Sequence, residues 1–229
     1  MSLQGKRVVV TGAFGSLGAA VVQAALAAGA QVAALDRVDA PPAGVDPGAA
    51  RCFGGVDLAD SAQAGTAIDA AAKALGGLDA LVNIAGTFRY ETLADGSVET
   101  WDLLYRINLR TAVAASKAAL AHLPEGGRIV NIGAASGLKA GAGVGAYTAS
   151  KAGVMRFTES LAEELKARDI TVNALLPSII DTPPNRRDMP KADFDKWVKP
   201  QQLADVIVFL LSERASAITG ALIPVVGRV

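Results

Sequence analysis

Lys6-Arg7-Val8-Val9-Val10-Thr11-Gly12-Ala13-Phe14-Gly15-Ser16-Leu17-Gly18 decides the fold of this chain. Its first part, Lys6–Thr11, is a run of β-branched residues without polar alternation, the pattern of a strand covered on both faces in a parallel sheet. Glycines at 12, 15 and 18 then break the run and open an alanine-rich stretch, predicting a helix to about Ala28 that Gly29 stops. Gln31–Leu35 follows as a second strand, ending at Asp36. Strand, turn, helix and strand make a βαβ unit whose turn can hold a pyrophosphate. Glycines let the backbone approach the phosphate closely, and the helix N-terminus aims its positive dipole end at it. An acidic residue about 20 positions further on can accept hydrogen bonds from an adenosine ribose. Asp36 stands 18 residues after Gly18. A glycine turn alone is a weak signal; the flanking strand and helix, with the aspartate in register, favour the nucleotide reading.

The chain has 229 residues, enough for one sizeable core, and reads as a single domain over 1–229. Few aromatics and 24 glycines suit helices packed closely on a sheet. Basic and acidic residues balance at 22 each, so no basic patch points to nucleic acid. One cysteine, Cys52, excludes an intrachain disulfide, and with a single histidine it leaves too few ligands to expect a metal site. Residues 8–35 carry no charge, yet glycines and glutamines punctuate them at turn positions, so no membrane span is expected. The segment before Val8 is short and polar, which argues against a signal peptide and for a cytoplasmic protein.

Further along, the alternation continues. Arg51–Val56 reads as a strand leading to Asp57-Leu58, and Ser61–Leu75 as a helix stopped by Gly76-Gly77. Leu78–Ile84 is a strand running into Asn83-Ile84-Ala85-Gly86, and Glu99 to about Leu120 one long helix carrying Asn108. Gly127–Ile132, a helix to about Lys166, Ile170–Leu176, a helix over Gln201–Leu211 and a strand over Ala221–Val226 complete the series. This predicts an α/β fold: a single Rossmann-type, doubly wound parallel sheet of about seven strands flanked by helices. Ligands of such sheets bind at the carboxyl ends of the strands, where Asp36, Asp57, Asn83, Gly133 and Pro177 all fall. The proline-rich, charged tract at about 182–200 breaks the rhythm and reads as a substrate loop.

Gly145-Ala146-Tyr147-Thr148-Ala149-Ser150-Lys151 supplies the chemistry. Residues four apart on a helix share a face, so the Tyr147 hydroxyl and the Lys151 ammonium can converge. A fixed cation would favour the phenolate and draw its pKa toward the working range, making Tyr147 a proton relay during hydride transfer. Tyr-x-x-x-Lys is common by chance, and it gains weight only beside the nucleotide unit.

Together, Thr11-Gly12-Ala13 with Gly15 and Gly18, Asp36, Asp57-Leu58, Asn83 to Gly86, Asn108, Tyr147-x-x-x-Lys151 and Pro177 with Thr182 resemble the short-chain dehydrogenase/reductase family over the whole chain. The resemblance implies an NAD(P)-dependent oxidoreductase. Gly12, Gly15 and Leu17, with Phe14 and Ser16 between them, would line pyrophosphate and ribose. Asp36 would hold the adenosine ribose, and Asp57 and Leu58 the adenine. Asn83, Ala85 and Gly86 would pass under the second ribose, unless Asn83 merely braces the sheet. Lys151 would bind that ribose and tune Tyr147. Asn108 would hold a water in the proton path, unless it only bonds to backbone. Ile179 and Thr182 would meet the carboxamide, with Pro177 at the strand end among the cofactor-binding residues. Asp36 implies a preference for NAD(H), which Arg37 beside it could soften toward NADP(H).

The family places a catalytic serine 13 residues before the tyrosine, and this chain has Ala134 there, with Ser136 two positions on. Alanine at that position, the turn from Gly12 to Gly18, and the tract Asp181 to Trp197 are similar to the dihydropteridine reductase branch. That implies a small conjugated substrate which spreads incoming charge over its own ring; Phe88, just after Gly86, could stack on such a ring or simply line the pocket. A general carbonyl or alcohol dehydrogenase using Ser136, and a nucleotide-binding sensor or scaffold with little turnover, are the alternatives. Small residues on the Glu99 and Tyr147 helices suggest a homodimer or homotetramer formed through helix faces.

Overall fold

Val8, Val9 and Val10 have no exposed surface in the computed structural model, which describes residues 2–229. Their strand, β1 (Arg7–Thr11), sits inside one parallel sheet, with Val8 and Val10 entering one hydrophobic layer and Val9 the other. The remaining strands are β2 (Gln31–Leu35), β3 (Arg51–Phe53), β4 (Ala80–Asn83), β5 (Arg128–Ile132), β6 (Thr171–Pro177) and β7 (Leu222–Val225), ordered β3-β2-β1-β4-β5-β6-β7. Every neighbouring pair is parallel, so the sheet is the seven-stranded doubly wound one expected. The winding reverses between β1 and β4, which opens a crevice at their carboxyl ends.

The helices are α1 (Ser16–Ala27), α2 (Ser61–Leu75), α3 (Val98–Leu104), α4 (Thr111–Ala119), α5 (Gly145–Leu165), α6 (Pro183–Asp188) and α7 (Pro200–Leu211). Side chains of α1 and α7 fill the layer on one face of the sheet, and those of α2, α4 and α5 the layer on the other. Asp60 caps α2 by accepting from the Ala62 and Gln63 N–H groups, and Gly76, at φ +76°, closes it.

Three expectations change. The third strand ends at Phe53 and not Val56, because Gly54 packs so tightly on Asp39 that a Cβ there would lie 1.9 Å from its carbonyl oxygen. The fourth spans Ala80–Asn83 and not Leu78–Ile84, since the Asp79 side chain is occupied by Arg7 through its backbone N–H (2.8 Å) and guanidinium (2.7 Å). The long helix expected from Glu99 to Leu120 is interrupted: Tyr105–Arg110 forms a π-helical segment between α3 and α4, and Asn108 lies within it.

The tract at 182–200 is folded. Thr182 caps α6, and Ile180 bridges to Val198 at the base of the tract. Trp197 is buried, with Phe194 4.8 Å away and Arg186 above the Phe194 ring while paired to Asp181. No helix among the described residues is long and apolar enough to cross a membrane.

Candidate active site

A cavity of about 1160 Å³ opens where the winding reverses, and Asp36, Asp57, Gly133 and Pro177 stand in its wall as strand-end residues should. So do Gly12, Phe14, Gly15, Ser16, Leu17, Arg37, Leu58, Ala85, Gly86, Tyr147, Lys151, Ile179 and Thr182. Asn83 does not. Its buried amide donates to Ser116 Oγ (3.0 Å) and Asn131 Oδ1 (2.8 Å), which ties β4 to β5 and α4, so of its two expected roles the geometry is the bracing one.

At one end the glycine turn is as tight as its sequence requires. Gly12 has φ +63°, and a Cβ on it would lie 2.8 Å from the Ala85 backbone; one on Gly18 would lie 2.1 Å from the Gly12 oxygen. No side chain caps α1, and no acidic residue stands in its first turn. Its leading N–H groups therefore face the cavity with their dipole uncompensated. Asp36 is already fixed: its Oδ2 accepts from Phe14 N–H (2.9 Å) and its Oδ1 from Val38 N–H (3.2 Å). A carboxylate has about four acceptor sites, so ribose hydroxyls can still find one here. Asp57 holds the cavity wall nearby, but Arg106 of the π-helical segment claims its Oδ2 at 2.6 Å. Arg106 was not anticipated: 49 residues separate the pair, and only tertiary folding joins them.

The other end holds Tyr147 and Lys151, one turn apart on α5. Lys151 is buried, and its ammonium donates to the Ile132 carbonyl at 2.8 Å. Burial lowers its pKa to about 8. Burial also pushes the Tyr147 phenol up to about 12, opposite to the expected depression by the lysine. Loss of hydration outweighs the attraction of an ammonium that burial itself weakens. Phe88 meets Tyr147 edge-on, with ring centroids 4.9 Å apart. Ala134 and Ser136 both line the cavity, Ala134 buried and Ser136 half-buried on the short turn Ala135–Gly137.

Asn108 does not line the cavity. It organises the floor instead, its Oδ1 accepting from Thr87 N–H (2.7 Å) and its amide donating to Ser150 Oγ (2.9 Å). A Cβ on Gly86 would come within 3.0 Å of Asn108 Oδ1 and 3.3 Å of Lys151 Nζ, so the backbone approaches both groups closely there. Phe88, Arg89, Val144, Asn185 and Met189 complete this end. Phe88 and Arg89 follow Ala85-Gly86 after one residue, Thr87, and that closeness was the only sequence signal for Arg89.

These residues suit a dinucleotide. An uncapped helix N-terminus under a glycine turn fits a pyrophosphate, and a buried ammonium with one protein acceptor has protons left for ribose hydroxyls. Among the described residues, no group of three or more histidines, cysteines or acidic side chains could hold a metal ion.

Residues 12–227 match the family profile described as Enoyl-(Acyl carrier protein) reductase. The chain is 31% identical to 2-(S)-hydroxypropyl-CoM dehydrogenase 3 of Xanthobacter autotrophicus, over 98% of this chain and 96% of that one. It is 30% identical to the 3-oxoacyl-(acyl-carrier-protein) reductase FabG of Thermotoga maritima, covering 99% and 98%. A short-chain dehydrogenase from Burkholderia cenocepacia, solved in complex with NADP, superposes with a TM-score of 0.87 at 33% identity, covering 99% of this chain and 98% of that one.

Proposed function

Since the chain belongs to the short-chain dehydrogenase/reductase family and is an NAD(P)-dependent oxidoreductase, we propose that it reduces a small, flat, conjugated acceptor with NADH. The observation that carries this reading is the pairing of Tyr147 and Lys151 with Ala134 in one cavity wall. A bound nicotinamide supplies hydride. Tyr147 gives its proton to the acceptor oxygen or nitrogen as negative charge develops, and a phenol held above its ordinary pKa is present in the donating form. Lys151 holds the ribose. The serine hydroxyl that would meet a carbonyl oxygen is missing at Ala134, a donor worth about 2.7–4 kcal/mol by analogy with oxyanion-hole groups. An acceptor that spreads the charge over its own ring does not need it, and Phe88 beside Tyr147 gives such a ring an aromatic partner. Oxidised dihydropterins are acceptors of this kind, and the Asp181–Trp197 tract supports that branch.

A second reading rests on Ser136, which lines the same cavity. If it stands in for the missing serine, the enzyme is a carbonyl or alcohol dehydrogenase, like the relatives above. One assay separates the two: NADH oxidation with oxidised dihydropterin, o-quinones, aryl and aliphatic ketones, for the natural chain and for Ser136→Ala, Ala134→Ser and Tyr147→Phe. Flat conjugated acceptors should outrun aliphatic ketones. Ser136→Ala should change little, Ala134→Ser should raise ketone reduction, and Tyr147→Phe should abolish turnover with NADH binding nearly intact. Reduction of aliphatic ketones alone, lost in Ser136→Ala, would establish the second reading. Tight NADH binding with no turnover of any acceptor would make the chain a sensor.

Preference for NADH is part of the proposal. Asp36, held by two backbone N–H groups, cannot swing away from a 2′-phosphate, although Arg37 in the same wall offers it a partial counter-charge. Comparing kcat/KM for NADH and NADPH tests this, and a clear advantage of NADPH would refute it.

A further inference from the structure

We propose that Arg89 recognises an anionic group on the substrate, so that the conjugated acceptor of this enzyme is an acid; the claim rests on the reading under Proposed function. Arg89 lies between two anchored residues. Thr87 N–H is held by Asn108 Oδ1 at 2.7 Å, and Glu91 N–H by the Gly143 carbonyl at 2.7 Å. Tyr90 reinforces the second anchor by packing on Gly143, where φ is +73° and a Cβ would lie 2.3 Å from the ring. The backbone of Arg89 is thus pinned beside Phe88, whose ring touches Tyr147.

Arg89 stands, exposed, in the cavity wall, and its side chain makes no hydrogen bond or ion pair with any described residue. Its situation differs from that of the other cavity cations. Arg106 is paired with Asp57, and Arg37 stands next to Asp36, both at the opposite end. Around Tyr147 the wall holds Arg89 and Lys151 and no carboxylate, since Asp36 and Asp57 are the only acidic residues in the whole lining. Lys151 is buried and bonded to Ile132, so Arg89 is the cation free to meet a carboxylate or sulfonate, by a bidentate contact.

The test compares isatin with isatin-5-sulfonate, which present the same ring and reducible carbonyl and differ in the anion. Hydride adds to the carbonyl carbon and the Tyr147 proton to its oxygen, giving the alcohol and NAD⁺ in both cases. In the natural chain the sulfonate should show kcat/KM about tenfold higher, through KM, the size of one charge-assisted hydrogen bond. Arg89→Met should erase that advantage, so that isatin and isatin-5-sulfonate show equal kcat/KM, and Arg89→Lys should restore part of it. An advantage that is absent, or that survives in Arg89→Met, overturns the proposal even if isatin itself is reduced well. If the natural chain reduces neither compound, the conjugated-acceptor reading fails instead. Equilibrium dialysis of isatin-5-sulfonate against the NADH-loaded natural and Arg89→Met proteins then decides Arg89: equal binding refutes its role, and tighter binding to the natural chain upholds it.

Discussion

Burial sets the charge behaviour of Lys151, and stability should record it. Its pKa falls from 10.5 to about 8 in the folded chain. Below pH 8 both folded and unfolded states carry the proton, and the folded state bears the whole desolvation penalty. Between about 8 and 10.5 the unfolded chain binds a proton that the folded one has released, so stability rises with pH through that window. Lys151→Met should therefore be more stable than the natural chain at pH 7, by about 2 kcal/mol after the lost bond to Ile132 is allowed for. The difference should shrink by pH 10, and NADH affinity should fall at every pH. Urea unfolding at the two pH values measures it, and a variant less stable at pH 7 would show that burial does not penalise this ammonium. The motif was legible from its spacing of four. The sign of the tyrosine shift was not, because burial depends on what packs over the helix.

At the scale of the element, the π-helical segment Tyr105–Arg110 replaces the middle of the long α-helix expected, and from it Arg106 reaches Asp57 while Asn108 reaches Thr87 and Ser150. π-helical turns concentrate where a side chain must be re-aimed at a functional site. Asn108→Ala would leave the Thr87 N–H without its acceptor and remove the bond donated to Ser150 Oγ, whose own hydroxyl still donates to the Tyr147 carbonyl. Stability should drop by about 1–3 kcal/mol, and turnover should fall as the Thr87–Glu91 loop loses an anchor. Chemical denaturation and kcat measured together check this; unchanged values for both would mean that the segment is only a structural accident. Helical periodicity over Glu99–Leu120 could not reveal the interruption, since inserting one wider turn leaves the residues as good helix formers as before.

Across the whole molecule, the sheet order gathers distant strand ends into one crevice and leaves one helical surface uncovered. Val98, Trp101 and Tyr105, at spacings of three and four, form an exposed apolar stripe on α3 and the π-helical segment, continued by Val113 on α4. A stripe of this kind favours burial against a second copy. Sedimentation velocity should show a dimer or tetramer, and Trp101→Glu should shift it toward monomer with the fold intact by circular dichroism. A natural chain that sediments as monomer at every concentration would refute the assembly.

What the amino-acid order determined by itself was local and periodic. The uncharged valine run, the glycines at 12, 15 and 18, Asp36 in register and Tyr147 one turn from Lys151 follow from backbone sterics and helix geometry, which act within a few residues. They sufficed for the parallel sheet and for the glycine turn at one end of the cavity. Tertiary structure alone decided the rest. Arg106 reaches Asp57 across 49 residues. Asn83 turns into the sheet and not into the cavity, and Arg89 is left unpaired between two anchors. Those outcomes depend on which side chains compete for the same partner and on how much water each keeps. Both are settled only when remote segments pack together.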